Sequence, residues 1–515
     1  MMKLKVRLLG FEAGGKSVVV LNKSDAEDLG ISSLGRVRVN SGEKELTAIV
    51  NTTSRLIGEG IIGVYEEVRN SLSLDEGVHV DVEIAPFPTS VYFIRNKLRG
   101  RKLTYEEVFE IVKDVVEGNL SEIEIAAFVT ALHTFGLDLD EATNISSAMV
   151  KTGNVLKLER TQVVDKHSIG GVPGDKTTLL VVPIIAACGL TIPKSSSRAI
   201  TSAAGTADRT EVLMPVNLNI DAMREVVEKT GGCIVWGGSL YLAPADDIFV
   251  RVEHPLSIDP LLLPSIMSKK KAVGTNLLVV DIPCGRGTKV KTIGEADLLA
   301  KDFIELGRRL DIQVQCAITY GEQPVGYTIG PSLEAREALS VLSGEGEILD
   351  LIDKATDIAG ILLDMSGKKN GKEMAVEALT SGKAERKMRE IIEAQGGNPD
   401  VKPDDIPLGD QRSTVNSNRE GYILWIDNTP LVEVARLAGA PKDKGAGLVL
   451  HRKIGDRVRK GEPLFTIYAE RSTKLQRALD ELDKVDLIGV AERMEMLIHE
   501  VKERPITRKA FMLER

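Results

Sequence analysis

Val163-Val164-Asp165-Lys166-His167-Ser168-Ile169-Gly170-Gly171-Val172-Pro173-Gly174-Asp175-Lys176-Thr177 is the stretch on which the reading of this chain turns. It opens on β-branched apolar residues, the pattern of a buried strand. Gly170, Gly171 and Gly174 follow, and residues 176–187 then run on as an apolar helix. Glycines between a strand and a helix let backbone N–H groups face a ligand closely, and the helix N-terminus favours an anion there. Lys166, His167 and Ser168 add a cation, a titratable ring and a hydroxyl. By composition this is a phosphate cradle; a glycine-rich structural turn is the plainer alternative.

Working outward, Val163-Val164, Cys233-Ile234-Val235, Leu277-Leu278-Val279-Val280 and Val314-Gln315-Cys316-Ala317 read as buried parallel strands. Helices at 176–187 and 295–308 alternate with them. Residues 158–410 are therefore expected to form a large α/β domain around a mixed or parallel sheet, closing in a linker at 403–409. Upstream, 85–157 reads as a small helical domain, with 243–273 contributing. Thr104-Tyr105-Glu106-Glu107 and Ser121-Glu122-Ile123-Glu124 are capping boxes, and a third helix is expected over 140–150. Residues 1–84 read as a β-rich N-terminal domain, carried by Val18-Val19-Val20, Val37-Arg38-Val39 and Val78-His79-Val80-Asp81-Val82, and closed by Pro86-Phe87-Pro88. Residues 411–515 read as an α+β C-terminal domain. Its strands flank Gly455-Asp456, and its charged tail, 474–503, reads as a helix.

Composition narrows the function. The 515 residues carry 66 Lys and Arg against 75 Asp and Glu, a net charge of −9. A general nucleic-acid partner, which calls for a basic face, is not expected. No apolar run approaches the ~20 residues of a spanning helix, and the first residues lack the apolar stretch of a signal peptide. The four cysteines form no CxxC pair. The expectation is a cytoplasmic protein without membrane or nucleic-acid partners.

Three further clusters carry possible chemistry. Residues 194–208, from Lys194-Ser195-Ser196-Ser197-Arg198 to Gly205-Thr206-Ala207-Asp208, are dense in hydroxyls, which donate to phosphate and pair with sugar hydroxyls. Arg251 to Pro260 leads into Ser265-Ile266-Met267-Ser268-Lys269-Lys270-Lys271. There Asp259, before a proline, reads on its own as a helix N-cap, and the three lysines as a solvated face. Gly285-Arg286-Gly287-Thr288-Lys289 repeats the strand-to-glycine logic with two more cations. Gly58-Glu59-Gly60-Ile61-Ile62-Gly63 matches GxGxxG in form, but Glu59 would oppose a pyrophosphate, so a structural turn is expected. The 455–464 hairpin lacks the central lysine of a lipoyl or biotinyl carrier. No spacing suggests zinc, and there is no nucleophile elbow.

Taken in order, Lys166-His167-Ser168 with Gly174-Asp175-Lys176-Thr177, then Ser196-Ser197-Arg198-Ala199 with Gly205-Thr206-Ala207-Asp208, and Ser265 to Lys270 preceded by Arg251, resemble the signatures of the thymidine/pyrimidine-nucleoside phosphorylase family. The resemblance spans about residues 90–505. Ser-Ser-Arg-Ala stands where that family usually has Ser-Gly-Arg-Gly, and Ser202-Ala203-Ala204-Gly205-Thr206 stands for His-Thr-Gly-Gly-Thr. With the added residues 1–84, these departures resemble the family's archaeal, nucleotide-cleaving branch.

The resemblance implies phosphorolysis of nucleoside 5′-monophosphates. AMP and phosphate give adenine and ribose 1,5-bisphosphate, with CMP and UMP as further substrates, in nucleotide salvage feeding Rubisco. It implies substrate contacts from Gly171, Ser197, Arg198, Ala199, Ile200, Thr201, Ser202, Thr206, Ser265 and Lys289, with Arg251 and Lys269 beside the base. Lys166, Ser168, Ser196 and Thr206 match phosphate ligands, and Asp259 matches a proton donor, with His167 the competing acid. As general acid, Asp259 needs a proton affinity raised by burial. Ser197 to Ser202 and Arg198 are expected to hold the 5′-phosphate. No metal or organic cofactor is implied, and a homodimer or higher homo-oligomer is. The alternatives are a thymidine or pyrimidine nucleoside phosphorylase, a magnesium-dependent anthranilate-type phosphoribosyltransferase, for which no acidic metal pair is identifiable, and a non-catalytic carrier or assembly protein.

Overall fold

The structure is a computed structural model that describes residues 1–159, 162–200, 202–482 and 484–493. Its first part is a closed barrel. Strands β1 (Met2–Leu8), β2 (Val18–Asn22), β3 (Arg36–Ser41), β4 (Lys44–Thr53), β5 (Ile61–Val64) and β6 (His79–Ile84) close in the order β1-β5-β2-β4-β3-β6. Two of its pairings, β1 with β5 and β2 with β4, are parallel. Alternation along each strand sends Leu4, Val6, Val19, Leu21, Val37, Val39, Ile62, Val80 and Val82 into one core. Gly58 and Gly60 lie in the turn entering β5, with a strand and not a helix after them.

Next comes a helical bundle, Thr89–Lys97, Tyr105–Val116, Glu122–Phe135 and Leu139–Lys151. Both capping boxes form. Phe249 and Leu261, from the later helix Pro244–Leu256 and the turn after it, pack into this bundle beside Phe128 and Met149. Arg36 of the barrel donates to the Asn119 carbonyl at 3.1 Å and pairs with Glu124. That contact ties barrel to bundle.

The α/β part is built on five parallel strands: β7 (Val164–Ser168), β8 (Ile192–Ser196), β9 (Gly232–Trp236), β10 (Leu277–Cys284) and β11 (Gln313–Tyr320). They form the sheets β11-β10-β7 and β8-β9, joined by a parallel bridge from Val163 to Thr191. The helix Thr177–Ala187 after the glycine turn is buried along its length. Helices Pro331–Leu342, Leu349–Met365 and Lys383–Ala394 contribute to the core around it, while Ile293–Arg309 packs elsewhere against β10 and β11. β8 runs into the hydroxyl-rich segment 194–208, whose composition does not signal a strand.

The last part holds β12 (Thr328–Ile329), β13 (Gln411–Asn416), β14 (Gly421–Ile426), β15 (Gly447–Leu450), β16 (Arg457–Val458), β17 (Pro463–Ala469) and β18 (Ile488–Ala491). They form the sheets β12-β15-β17-β13 and β16-β14-β18. β12 comes from the α/β stretch, so the chain enters this sheet well before the 403–409 segment. The long tail helix expected over 474–503 is not what forms. The helix Ser472–Leu482 ends early, and β18 pairs with β14 instead; residues from 494 onward lie outside the described residues. Among the described residues, no helix is long and apolar enough to cross a membrane.

Candidate active site

Lys166, His167 and Ser168 do not share one loop; they lie on strand β7 and so alternate between its two faces. On one face, Lys270 Nζ donates to Asp165 at 2.6 Å, and Lys194 Nζ lies 3.6 Å from the same carboxylate. His167 stands among these cations. Its burial, then the charges of Lys270, Lys194 and Lys269, push its proton affinity well below the usual imidazole range. His167 is therefore neutral at neutral pH. On the other face, Asp281 meets Lys354 at 2.8 Å and accepts from Thr319 Oγ1 at 2.6 Å, while Lys354 also reaches Asp175 at 3.5 Å. Burial would raise Asp175, but Lys354 and Lys166 outweigh it and hold the carboxyl far below its ordinary range. Lys166 is itself buried, which lowers its proton affinity, and Asp175 and Asp281 oppose that fall.

The turn after β7 needs its glycines. Gly170 and Gly171 have φ of +82° and +95°. A Cβ on Gly171 would sit 3.0 Å from the Lys289 amide nitrogen and 3.4 Å from Thr288 Cα. The β10 turn thus packs its main chain directly on the β7 turn. Ser168 Oγ accepts the Gly170 N–H at 3.3 Å. Beneath, fully buried Lys176 is held by Glu337 and, at 3.0 Å, by Thr328 Oγ1. Arg209 donates to the Asp175 and Ala204 carbonyls and lies 3.0 Å from Glu334.

The second cluster folds around Asp208. Asp208 Oδ2 accepts from the Ala199 and Gly205 amides at 2.7 and 2.9 Å. Gly205 is required, because a Cβ there would meet the Ala199 nitrogen at 2.5 Å. Ser196 ends β8 and donates to the Val235 carbonyl at 2.9 Å, and Thr206 opens the short helix Thr206–Thr210. Ser202 Oγ reaches the Ala204 carbonyl at 3.4 Å. Ser197 and Ala199 border the loop, Ile200 is half exposed, and Thr201 lies outside the described residues. Arg198 departs from expectation. Its guanidinium pairs with Glu211 and lies over the Trp236 ring, 5.0 Å from the centroid, so its charge is already matched within the protein.

The third cluster also differs. Asp259 does not cap the following helix Leu262–Ala272; Leu261 holds that place. Nor is it buried: its side chain is 47% exposed and pairs with Lys289 at 3.1 Å. The buried carboxyl lies behind it. Glu253 is 4% exposed and accepts the Leu261 N–H at 3.3 Å. Burial, then the charges of Asp259 and Asp246, push its pKa up to about 8. The lysines do not form a solvated face. Lys269 pairs with Asp246, Lys270 is buried against Asp165, and Lys271 reaches the Leu310 carbonyl. Ser265 lies in the first turn of this helix, and Arg251 is exposed on the helix before it.

Sequence reasoning passed over Asp165, Asp281, Lys354, Lys270, Arg209 and Glu253 as site residues. Two signals were available. Asp165 and Asp281 interrupt apolar strands, and Lys354 falls on the stripe of Leu351, Ala355 and Ile358. A charge on an apolar face implies a buried partner.

Residues 91–153 match the helical bundle domain of a glycosyl transferase family, and 160–385 match the a/b domain of such a family. Residues 422–488 match the pyrimidine nucleoside phosphorylase C-terminal domain. Together these matches define a phosphorylase-type pentosyltransferase. The chain is 51% identical to an AMP phosphorylase of Thermofilum pendens, covering 98% of both chains. It is also 51% identical to an AMP phosphorylase of Thermococcus kodakarensis, covering 93% of this chain and 96% of that one. The chain belongs to the AMP phosphorylase family. In fold it is similar to an anthranilate phosphoribosyltransferase of Thermus thermophilus, with a TM-score of 0.50 and 20% identity, over 59% of this chain and 99% of that one.

Proposed function

We propose that this chain cleaves the N-glycosidic bond of AMP with inorganic phosphate, releasing adenine and ribose 1,5-bisphosphate, and that CMP and UMP are also substrates. One observation carries the reading: Lys289 packs its main chain on the Gly171 turn and its ammonium on Asp259. An anion cradle and a carboxyl acid thus face one space.

In this reading the attacking phosphate lies by Lys166, Ser168, Ser196 and Thr206. It attacks C1′ of the ribose while the bond to the base breaks, and its negative charge stabilises the oxocarbenium-like ring. The base leaves with a proton from Asp259. His167, neutral and ringed by lysines, is the poorer acid. With Arg198 turned to Glu211, the 5′-phosphate falls to the hydroxyls and amides of 197–202 and to Lys289. Ser265, Arg251 and Lys269 border the base. Ribose 1,5-bisphosphate then enters salvage toward Rubisco.

The same proposal includes units at 1–84, 85–157 with 243–273, 158–410 and 411–515, and a homo-oligomer assembled through the first. Separate apolar cores in the barrel and the bundle support that division. A cytoplasmic setting fits small phosphorylated substrates. The test is incubation of the purified chain with inorganic phosphate and AMP, adenosine, thymidine or uridine. Phosphate-dependent adenine release from AMP is expected. No phosphate-dependent base release from any nucleotide would overturn the reading.

A further inference from the structure

The cations around the β7 turn differ in how firmly they are held. Lys166 and Lys270 are buried, and Lys354 is nearly so, each set among carboxylates inside the protein. Arg209 is buried against Glu334, and Arg198 is paired with Glu211. Lys289 is different. Its side chain is 48% exposed, and its partner Asp259 is equally open to water. A solvent-exposed pair of this kind shifts an equilibrium by no more than about fivefold. A phosphate dianion that reaches the Gly171 turn therefore competes readily for this ammonium.

We propose that the Lys289–Asp259 ion pair is a latch opened by the nucleotide's own 5′-phosphate, which draws Lys289 away and so frees Asp259 to carry the proton for the departing base. The inference rests on the AMP reading above. With the latch closed, the Asp259 carboxyl is taken up by the Lys289 ammonium at 3.1 Å and is not free to meet the base. With it open, Asp259 keeps Glu253 of the preceding helix as its carboxyl neighbour, and Lys269 does not replace Lys289 because Asp246 engages it. It also gains a dianion nearby. The freed carboxyl can then turn to the departing base, and the proton it passes on comes from solvent.

Discrimination against a nucleoside then has a cause beyond lost binding energy. Adenosine can fill the base and ribose subsites yet leave the latch shut, so its turnover stays low even at saturation. The 5′-phosphate acts as a key for the acid as well as a handle for affinity.

The test compares the full-length protein with Lys289→Met, which keeps the apolar stem and removes the charge. Steady-state kcat and KM are measured with AMP and with adenosine at saturating inorganic phosphate. With the latch gone, kcat for adenosine should rise about two- to fivefold over the unaltered protein, while kcat/KM for AMP falls. An adenosine kcat in Lys289→Met that is unchanged, lower or undetectable would overturn the latch, because Lys289 would then be only a binding group. If the unaltered protein releases no adenine from AMP, the failure belongs to the functional reading instead.

Discussion

Arg198 and Glu211 meet through two hydrogen bonds, Nη1 to Oε2 at 2.8 Å and Nη2 to Oε1 at 2.6 Å. Arg198, with Lys444 beside it, holds the Glu211 carboxyl down at about 2, so the pair is ionised throughout the neutral range. Its work is to brace the 197–205 loop. Arg198→Ala and Glu211→Ala should therefore raise the KM for AMP by similar factors, about three- to tenfold. The double variant should be no worse than either single one. A much larger loss for Arg198→Ala alone would show that the guanidinium meets substrate directly.

Asp259→Asn keeps the shape of the side chain and removes the transferable proton. General acids contribute about 10²–10⁴-fold, so kcat for adenine release from AMP should fall at least about tenfold. Unchanged turnover would remove Asp259 from that role.

Glu253 has the opposite pH signature to a salt-bridged carboxylate. Its proton is held more tightly in the folded state, so the folded chain binds more protons between about pH 4.5 and 8. The group's contribution to stability falls as pH rises through that window, and the full penalty is present above pH 8. Glu253→Gln retains an acceptor for the Leu261 N–H and cannot ionise. Its guanidinium unfolding midpoint should exceed that of the unaltered protein at pH 8, and the two should converge near pH 4.5. Equal midpoints at both values would contradict this.

Lys354 sits between two carboxylates, 2.8 Å from Asp281 and 3.5 Å from Asp175. Lys354→Met leaves both without their shared cation. Breaking a buried pair from one side costs about 3–5 kcal/mol, which denaturant titration would resolve. A loss below about 1 kcal/mol would mean that the site is as wet as a surface pair.

The features legible in the sequence were the locally encoded ones. Thr104 with Glu107 and Ser121 with Glu124 announce their helices because a capping box closes within four residues. Gly171 was legible as a close approach, though not that Lys289 is what approaches it. β8 was hidden because Lys194-Ser195-Ser196 looks soluble. It is a buried strand only because β9 pairs with it and Asp165 lies near Lys194. The three lysines 269–271 misled in the same way: helical spacing suggests a wet face, and the carboxylates that draw Lys269 and Lys270 in are 23 and 105 residues away in sequence. The tail's charge suggested helix, and long-range pairing with β14 made a strand. Asp259 was found by its resemblance, while the burial expected of it belongs to Glu253.

The seam between β12 and β15 bears on how this chain can be divided. Thr328 and Ile329 pair with Val449 and Leu448, and a Cβ on Gly447 would lie 1.9 Å from the Ile329 carbonyl oxygen. Directly beyond, helix Pro331–Leu342 carries Glu334 and Glu337, the partners of Arg209 and Lys176 beneath the β7 turn. A cut at 403–409 looks harmless along the sequence, yet it tears this sheet and bares an edge on each fragment. The separate pieces should precipitate or seek each other, and co-expressed halves should reassemble around the seam. Recombination that respects this fold must carry 326–337 together with 445–450, however far apart they stand in the gene.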